Sequence, residues 1–402
     1  MNNFYKFYIR DSFNASALLF SAGSIIQGFM AFYGIDSVRM GYFTSIVTAT
    51  QVATMLIYSG LADRVKDCKK TVALITLQYI WFFVAAIVLC LFPNASSSVA
   101  FWVILIFGII QNVFIGMRSA LDYKLPYLTI DMKKYAQLNA ISGICSGICC
   151  VAVNLVFSRF LNSDNFEYSR VSLFGFVFAA MFILFSAFMT TRLKVNSAVE
   201  SPEKEKSKVS LFTILKSRSF LILAVPNLLR GLCMGTIGMA AVIWLADINS
   251  SPASTAVLVT ISTLGSMFSC LGYSFLSKFV RQNVICFAGS IALILFMPLM
   301  MVGNNSVVFC IFYLLANVGF IFVNNSVPCR ISEVVPYDMI AGYSALRLSI
   351  TMGGSALASL VVGYLIGNVP SWTILLSAGV LQLASGLVFL LYRPEEKAAK
   401  SK

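Results

Sequence analysis

Runs of about twenty apolar residues recur along the whole chain, separated by short polar stretches. Each is long enough to cross a hydrocarbon core of roughly 30 Å. No water meets the peptide groups inside lipid, so each run must satisfy its own backbone as a helix. The pattern predicts twelve spans, at 13–34, 40–62, 71–92, 99–125, 135–161, 171–190, 220–244, 254–275, 284–302, 307–329, 340–367 and 372–392. The long hydrophilic stretch between the sixth and seventh contains Ser201-Pro202-Glu203-Lys204-Glu205-Lys206. It divides the chain into a six-helix bundle at 1–191, a central loop at 192–219, a second bundle at 220–392 and a basic tail at 393–402.

The two bundles look alike in sequence. Asn112 and Arg118 in span 4 recur at the same spacing as Asn324 and Arg330 in span 10. Tyr135-Ala136-Gln137-Leu138 opens span 5, and Tyr343-Ser344-Ala345-Leu346 lies near the start of span 11. The loop after span 2, Ser59-Gly60-Leu61-Ala62-Asp63-Arg64, corresponds to Ser274-Phe275-Leu276-Ser277-Lys278 after span 8. Three matches in the same order argue for an internal duplication.

Composition leaves no room for a soluble domain, because 59% of residues are hydrophobic and only 11% charged, against about 25% charged in soluble proteins. The net charge of +13 would suggest nucleic acid in a soluble chain, but here the basic residues fall on alternate loops. One side receives Lys6, Arg10, Arg64, Lys66, Lys69, Lys70, Lys124, Lys133, Lys134, Lys278, Arg281 and the tail; the other receives Arg39, Arg159 and Arg170. That bias predicts a multi-pass protein of a cell membrane, such as a bacterial inner membrane, with both termini cytoplasmic. The first apolar run has no cleavage site after it and is read as a retained helix. The ten cysteines lie mostly inside apolar runs without metal-ligand spacing, so they are read as small packing residues, and neither metal nor cofactor is expected.

Twelve helices, a central loop and the segment Gly60-Leu61-Ala62-Asp63-Arg64-Val65-Lys66-Asp67-Cys68-Lys69-Lys70 together resemble the major facilitator superfamily. The resemblance covers essentially the full length. It implies an all-α polytopic fold of two pseudo-symmetric six-helix bundles that rock about a central cavity. It also implies that Asp63 and Arg64 belong to a cytoplasmic gate, where Asp63 could cap a neighbouring helix N-terminus. The sequence departs from the family pattern in three places. Ser59 and Lys66 replace two glycines of the loop, Asn112 stands where proton-linked members often carry arginine, and span 5 lacks a Gly-Pro signature although Gly143 and Gly147 remain.

An ionisable side chain within a span is a functional candidate by default. No Asp or Glu lies near the middle of a predicted span, and the chain has no histidine, which argues against a relay of buried proton carriers. Arg230 lies about eleven residues into span 7, roughly 16 Å from its end at 1.5 Å per residue, beside Pro226, Asn227 and Gly231. A guanidinium there needs an anion, and a solute carboxylate or phosphate could supply it bidentately. Arg347 in span 11 is placed between gate and cavity, and its counterpart in the first half is the uncharged Asn139. Because spans 1, 4, 7 and 10 line the cavity in this family, Gln27, Asn112, Asn227 and Asn324 join the candidate binding set. Arg118 with Asp122, and Arg330 with Glu333, share helix faces and are read as gate clusters. Trp244 is expected to anchor at the membrane interface.

The expected function is secondary or facilitated transport of a small organic anion by alternating access, by uniport or anion exchange. The expected partners are that solute and the lipid bilayer, with no nucleic acid, and the chain is expected to act as a monomer. The alternative is efflux of amphipathic drugs or metabolites, for which 13% aromatic residues and sixteen methionines could furnish an adaptable cavity. A membrane enzyme or sensor is disfavoured, because the chain lacks histidine and has no signalling domain.

Overall fold

The computed structural model describes residues 3–62, 65, 67–122, 125, 129, 135–161, 167–194, 218–249, 251–277, 279–334 and 340–391. Twelve helical segments among them are long and apolar enough to cross a membrane: Asn3–Phe32, Ser37–Tyr58, Cys68–Leu91, Ser97–Ser119, Ile141–Leu161, Tyr168–Thr191, Ala224–Ile248, Pro252–Tyr273, Gln282–Leu299, Ser306–Val327, Leu346–Leu365 and Ser371–Leu391. These are spans 1 to 12. The end of the molecule at which span 1 begins is called the near face, and the opposite end the far face.

The halves repeat one packing scheme. Span 1 packs on spans 5 and 6, span 2 on span 4, and span 3 on spans 4 and 6. In the same way span 7 packs on spans 11 and 12, span 8 on span 10, and span 9 on spans 10 and 12. Glycine permits several of these approaches. A Cβ on Gly289 in span 9 would lie 2.7 Å from the Gly319 carbonyl oxygen in span 10, and one on Gly116 in span 4 would lie 2.6 Å from that of Gln51 in span 2. Such contacts suit helices that have no hydrophobic drive to associate in lipid. Phenylalanines and leucines on the outer faces, such as Phe174, Phe178, Phe268 and Leu295, stay exposed because lipid covers them.

Three spans are interrupted. Span 1 consists of Asn3–Leu18 and Gly23–Phe32, and Gly23 takes φ +65° at the join, a conformation that glycine adopts at little cost. Span 3 breaks between Cys68–Leu77 and Ile80–Leu91. Span 7 runs as Arg218–Gly238, Ala240–Ile243 and a wide π turn, Trp244–Ile248. Span 1 therefore starts ten residues earlier than the apolar pattern predicts. Lys6 and Arg10, expected in a terminal loop, are helical and buried. The Lys6 ammonium reaches the Arg192 carbonyl at the end of span 6. Trp244 also differs from expectation. It is buried, and its indole N–H donates to Ser254 Oγ at 2.6 Å, so it closes a corner of the second half and does not face headgroups.

The described part of the basic loop is ordered locally by Asp67. Its carboxylate accepts from the Lys70 amide at 3.1 Å, capping span 3, and pairs with the Lys70 ammonium at 3.0 Å. The Lys70 amide and ammonium hold the Asp67 carboxyl below its ordinary value.

Candidate functional site

Arg230 lies twelve residues from the start of its helix at Arg218, roughly 18 Å along the axis. Its residue is 5% exposed, and among the described residues neither Nε nor Nη1 has a hydrogen-bond partner. No described Asp or Glu forms an ion pair with it. Its ionisable neighbours are Arg347 in span 11, Cys286 in span 9 and Cys233 one turn along its own helix. A lone buried guanidinium of this kind is costly unless something else supplies charge and acceptors.

The backbone around Arg230 is built for close approach. A Cβ on Gly231 would overlap the Thr351 carbonyl oxygen, and one on Gly235 would overlap that of Ser355. Spans 7 and 11 therefore touch main chain to main chain, bringing Arg347 alongside. Thr351 Oγ1 donates to the Arg347 carbonyl at 3.1 Å, tying that turn of span 11. Pro226 has no N–H to give its helix, and its carbonyl accepts from Ser385 Oγ of span 12 at 2.8 Å. Asn227 is buried beside it. In the same bundle Gln382 Nε2 donates to Ser290 Oγ at 3.0 Å, giving the interior of the second half further neutral polar groups.

The buried arginines of the first half, Arg10 and Arg118, lie nearer the near face, and there they are paired. Arg118 Nε meets Asp122 Oδ2 at 2.9 Å, Arg10 reaches Asp122 at 3.3 Å and its neighbour Asp11 at 2.6 Å. The Arg118 guanidinium also donates to Asn14 Oδ1, and Ser142 of span 5 donates to Asp11 at 2.7 Å. Burial opposes ionisation of Asp122, yet Arg118 and Arg10 hold its carboxyl below the ordinary value. Spans 1, 4 and 5 are thus joined through one ionic network.

The described contacts between the halves lie from mid-membrane to the far face. Gln27 Nε2 of span 1 donates to the Gly238 carbonyl at the break in span 7, at 3.0 Å. Asn154 of span 5 donates to the Ala256 carbonyl and Thr260 hydroxyl of span 8. Ser37 of span 2 donates to the Gly363 carbonyl of span 11 at 3.3 Å, and the hydroxyls of Tyr42 and Tyr364 meet nearby. A Cβ on Gly41 would lie 2.7 Å from the Ser359 carbonyl oxygen. At mid-membrane, Gly147 packs against Met267. The far face is closed.

Of the residues singled out in sequence, Asn227, Arg230 and Arg347 come together in the second half. Gln27 stands at the far-face contact. Asn112 is half-buried, with its amide donating to the Gly108 carbonyl of its own helix at 2.9 Å, and Asn324 is half-buried in span 10. Asp63 and Arg64 lie outside the described residues, as do the side chains of Asn139, Arg330 and Glu333. Arg10, Asp11 and Asn14 escaped the sequence reading. Their signal is the spacing of Lys6, Arg10 and Asn14 every four residues, a polar stripe of helical period in a segment too polar for a hydropathy window.

Comparison with known proteins agrees with the architecture. The family model described as "MFS_1 like family" matches residues 2–375. A crystal structure of a mutant form of the nucleoside transporter NupG superposes with a TM-score of 0.71 at 17% identity, covering 97% of this chain and 99% of that one. A D-xylose-proton symporter gives 0.71 at 10% identity, with 98% of each chain covered. An inward open conformation of the E. coli xylose transporter XylE gives 0.68 at 10% identity, covering 98% of this chain and 97% of that one. No curated protein sequence matches. With its family match, its twelve spans and its repeated packing scheme, the chain belongs to the MFS_1-like family and is a membrane transporter of the major facilitator type.

Proposed function

We propose that the protein moves a small organic anion across a cell membrane by alternating access, with Arg230 as the main charge partner of the solute. One observation carries this reading: among the described residues, a buried guanidinium presents two nitrogens without a hydrogen-bond partner and has no carboxylate beside it. A carboxylate or phosphate would supply both the charge and the planar pair of acceptors. Uniport or anion exchange suits such a site, since a second anion can replace the first without a proton carrier. The nucleoside and xylose carriers of similar fold are named for uncharged solutes, and at 17% and 10% identity they bear on the fold alone.

In this reading the near face is the cytoplasmic side, with both termini there, as the distribution of Lys and Arg favours. The far-face contacts form the outer gate. The Arg10–Asp11–Arg118–Asp122 network braces the first half, and Asp63 and Arg64 serve the inner gate. Asn227 and Arg347 complete the binding group around Arg230.

The test is uptake of labelled carboxylates and organophosphates into proteoliposomes, with and without internal anion. Arg230→Gln is expected to abolish uptake while leaving the purified protein monodisperse. Full uptake by that variant would overturn the role of Arg230, and sensitisation of a deletion strain to a dye panel would favour drug efflux instead.

A further inference from the structure

Span 6 carries a lipid-facing stripe to the near end of the molecule. Phe178, Met181, Phe185 and Phe188 follow one another at helical spacing along its exposed face, and the next position on that face is the exposed Arg192. The Arg192 guanidinium folds back over the Phe188 ring at 4.9 Å, which holds the charge against the end of the apolar stripe. Span 3 packs beside span 6 and presents the same order of residues. Leu74 is exposed, and Lys70, one turn nearer the near face, is exposed too.

The backbone beneath these charges is clasped. The Lys6 ammonium reaches the Arg192 carbonyl, that of Lys69 donates to the Leu193 carbonyl at 3.3 Å, and the Asn3 amide donates to the Lys194 carbonyl at 2.8 Å. Asn3 also accepts from the Lys194 amide at 3.0 Å. Lys6 and Lys69 thus meet the negative end of the span 6 dipole. The side chains of Arg192 and Lys194 do not. Both residues are exposed, and among the described residues neither forms an ion pair. Asp67 is committed to Lys70.

Two firmly based cations at the rim of an apolar stripe match a lipid whose headgroup carries net negative charge. A zwitterionic lipid would bring a competing cation to the same place. We propose that the near ends of spans 3 and 6 bind an anionic phospholipid, its phosphate between Arg192 and Lys194 and an acyl chain along Phe185 and Phe188. The site is separate from Arg230 and does not depend on which solute is carried.

The test is native mass spectrometry of the full-length protein, released from detergent holding equal amounts of dioleoylphosphatidylglycerol and dioleoylphosphatidylcholine. The wild type should retain about fivefold or more of the anionic lipid over the zwitterionic one. Arg192→Gln with Lys194→Gln should bring the ratio near one, with unchanged melting in detergent, while Arg192→Lys with Lys194→Arg should keep most of it. Arg281→Gln with Lys278→Gln removes the same charge between spans 8 and 9, and there the ratio should hold. Absence of a preference in the wild type would overturn the inference. So would a preference that survives Arg192→Gln with Lys194→Gln, or one that falls equally in the Arg281 and Lys278 variant, which would mark a diffuse basic surface. A preference that appears only after Glu200, Glu203 and Glu205 are replaced by glutamine would overturn it as well, because the central loop and not lipid would then cover the two cations.

Discussion

The side-chain amide of Gln27 in the first half donates to the main-chain carbonyl of Gly238 in the second, at 3.0 Å. In an unbroken helix that carbonyl would accept from the Val242 amide, but Val242 turns instead to Met239 at 2.9 Å. The break in span 7 therefore frees an acceptor, and Gln27 takes it. Gln27→Leu should remove about 1 kcal/mol from far-face closure, shifting the closed-to-open ratio roughly fivefold. Spin-label distances across the far face would show the longer population growing. An unchanged distribution would mean that the bond carries no closing energy.

Gly41 and Gly363 cross so closely that a Cβ on either meets main chain at 2.7 or 2.9 Å. Gly41→Leu should hold the far face apart, with transport reduced at least tenfold and the protein still folded. Transport at the wild-type rate would show that spans 2 and 11 can separate without cost.

Two glycines of span 7 make a matched pair. Gly231→Ala would drive a methyl into the Thr351 carbonyl oxygen, whereas a methyl on Gly238 meets nothing within 4 Å. Overpacking of this kind costs about 1–3 kcal/mol. Thermal unfolding in detergent should fall for Gly231→Ala and stay within error for Gly238→Ala. Equal effects would refute main-chain packing of spans 7 and 11.

Asp122 makes the first half acid-sensitive. Its carboxyl is held below the ordinary value by Arg118 and Arg10, so the stability it adds is fully present above the ordinary carboxylate range, near pH 4. That stability is lost as pH falls through the lowered native value. Asp122→Asn leaves Arg118 buried with a weaker partner, and it should cost about 2 kcal/mol at neutral pH. This lies under the full penalty for breaking a buried pair because the carboxylate is partly exposed. The variant should also flatten the acid limb of a stability–pH profile; an unchanged limb would point to other carboxylates.

Hydropathy alone revealed the twelve spans, because burial in lipid demands long apolar runs. The depth of Arg230 followed from counting residues along one of them, and the i,i+4 spacing of Arg118 and Asp122 announced their pairing. What the pattern missed depends on three-dimensional packing. Arg10 and Asp11 look like loop residues because their segment is polar, and their pairing requires Asp122 and Ser142 from other spans. The break at 19–22 contains no proline. Trp244 carries an interfacial signature but folds inward to Ser254, a contact set by the turn between spans 7 and 8. That Gln27 meets a carbonyl of the other half could not be read from either segment separately.

The described ion pairs all lie within the first half, while the described far-face junction is made of amides, hydroxyls and glycine backbones. Mobile ions screen charge–charge attraction over a Debye length of about 8 Å at physiological ionic strength, but they have little hold on amide-to-carbonyl bonds or on close-packed glycine. A seal of this kind keeps nearly the same strength in dilute and in briny surroundings. A cell exposed to fluctuating salinity would thus carry a transporter whose far-face seal does not loosen with the medium.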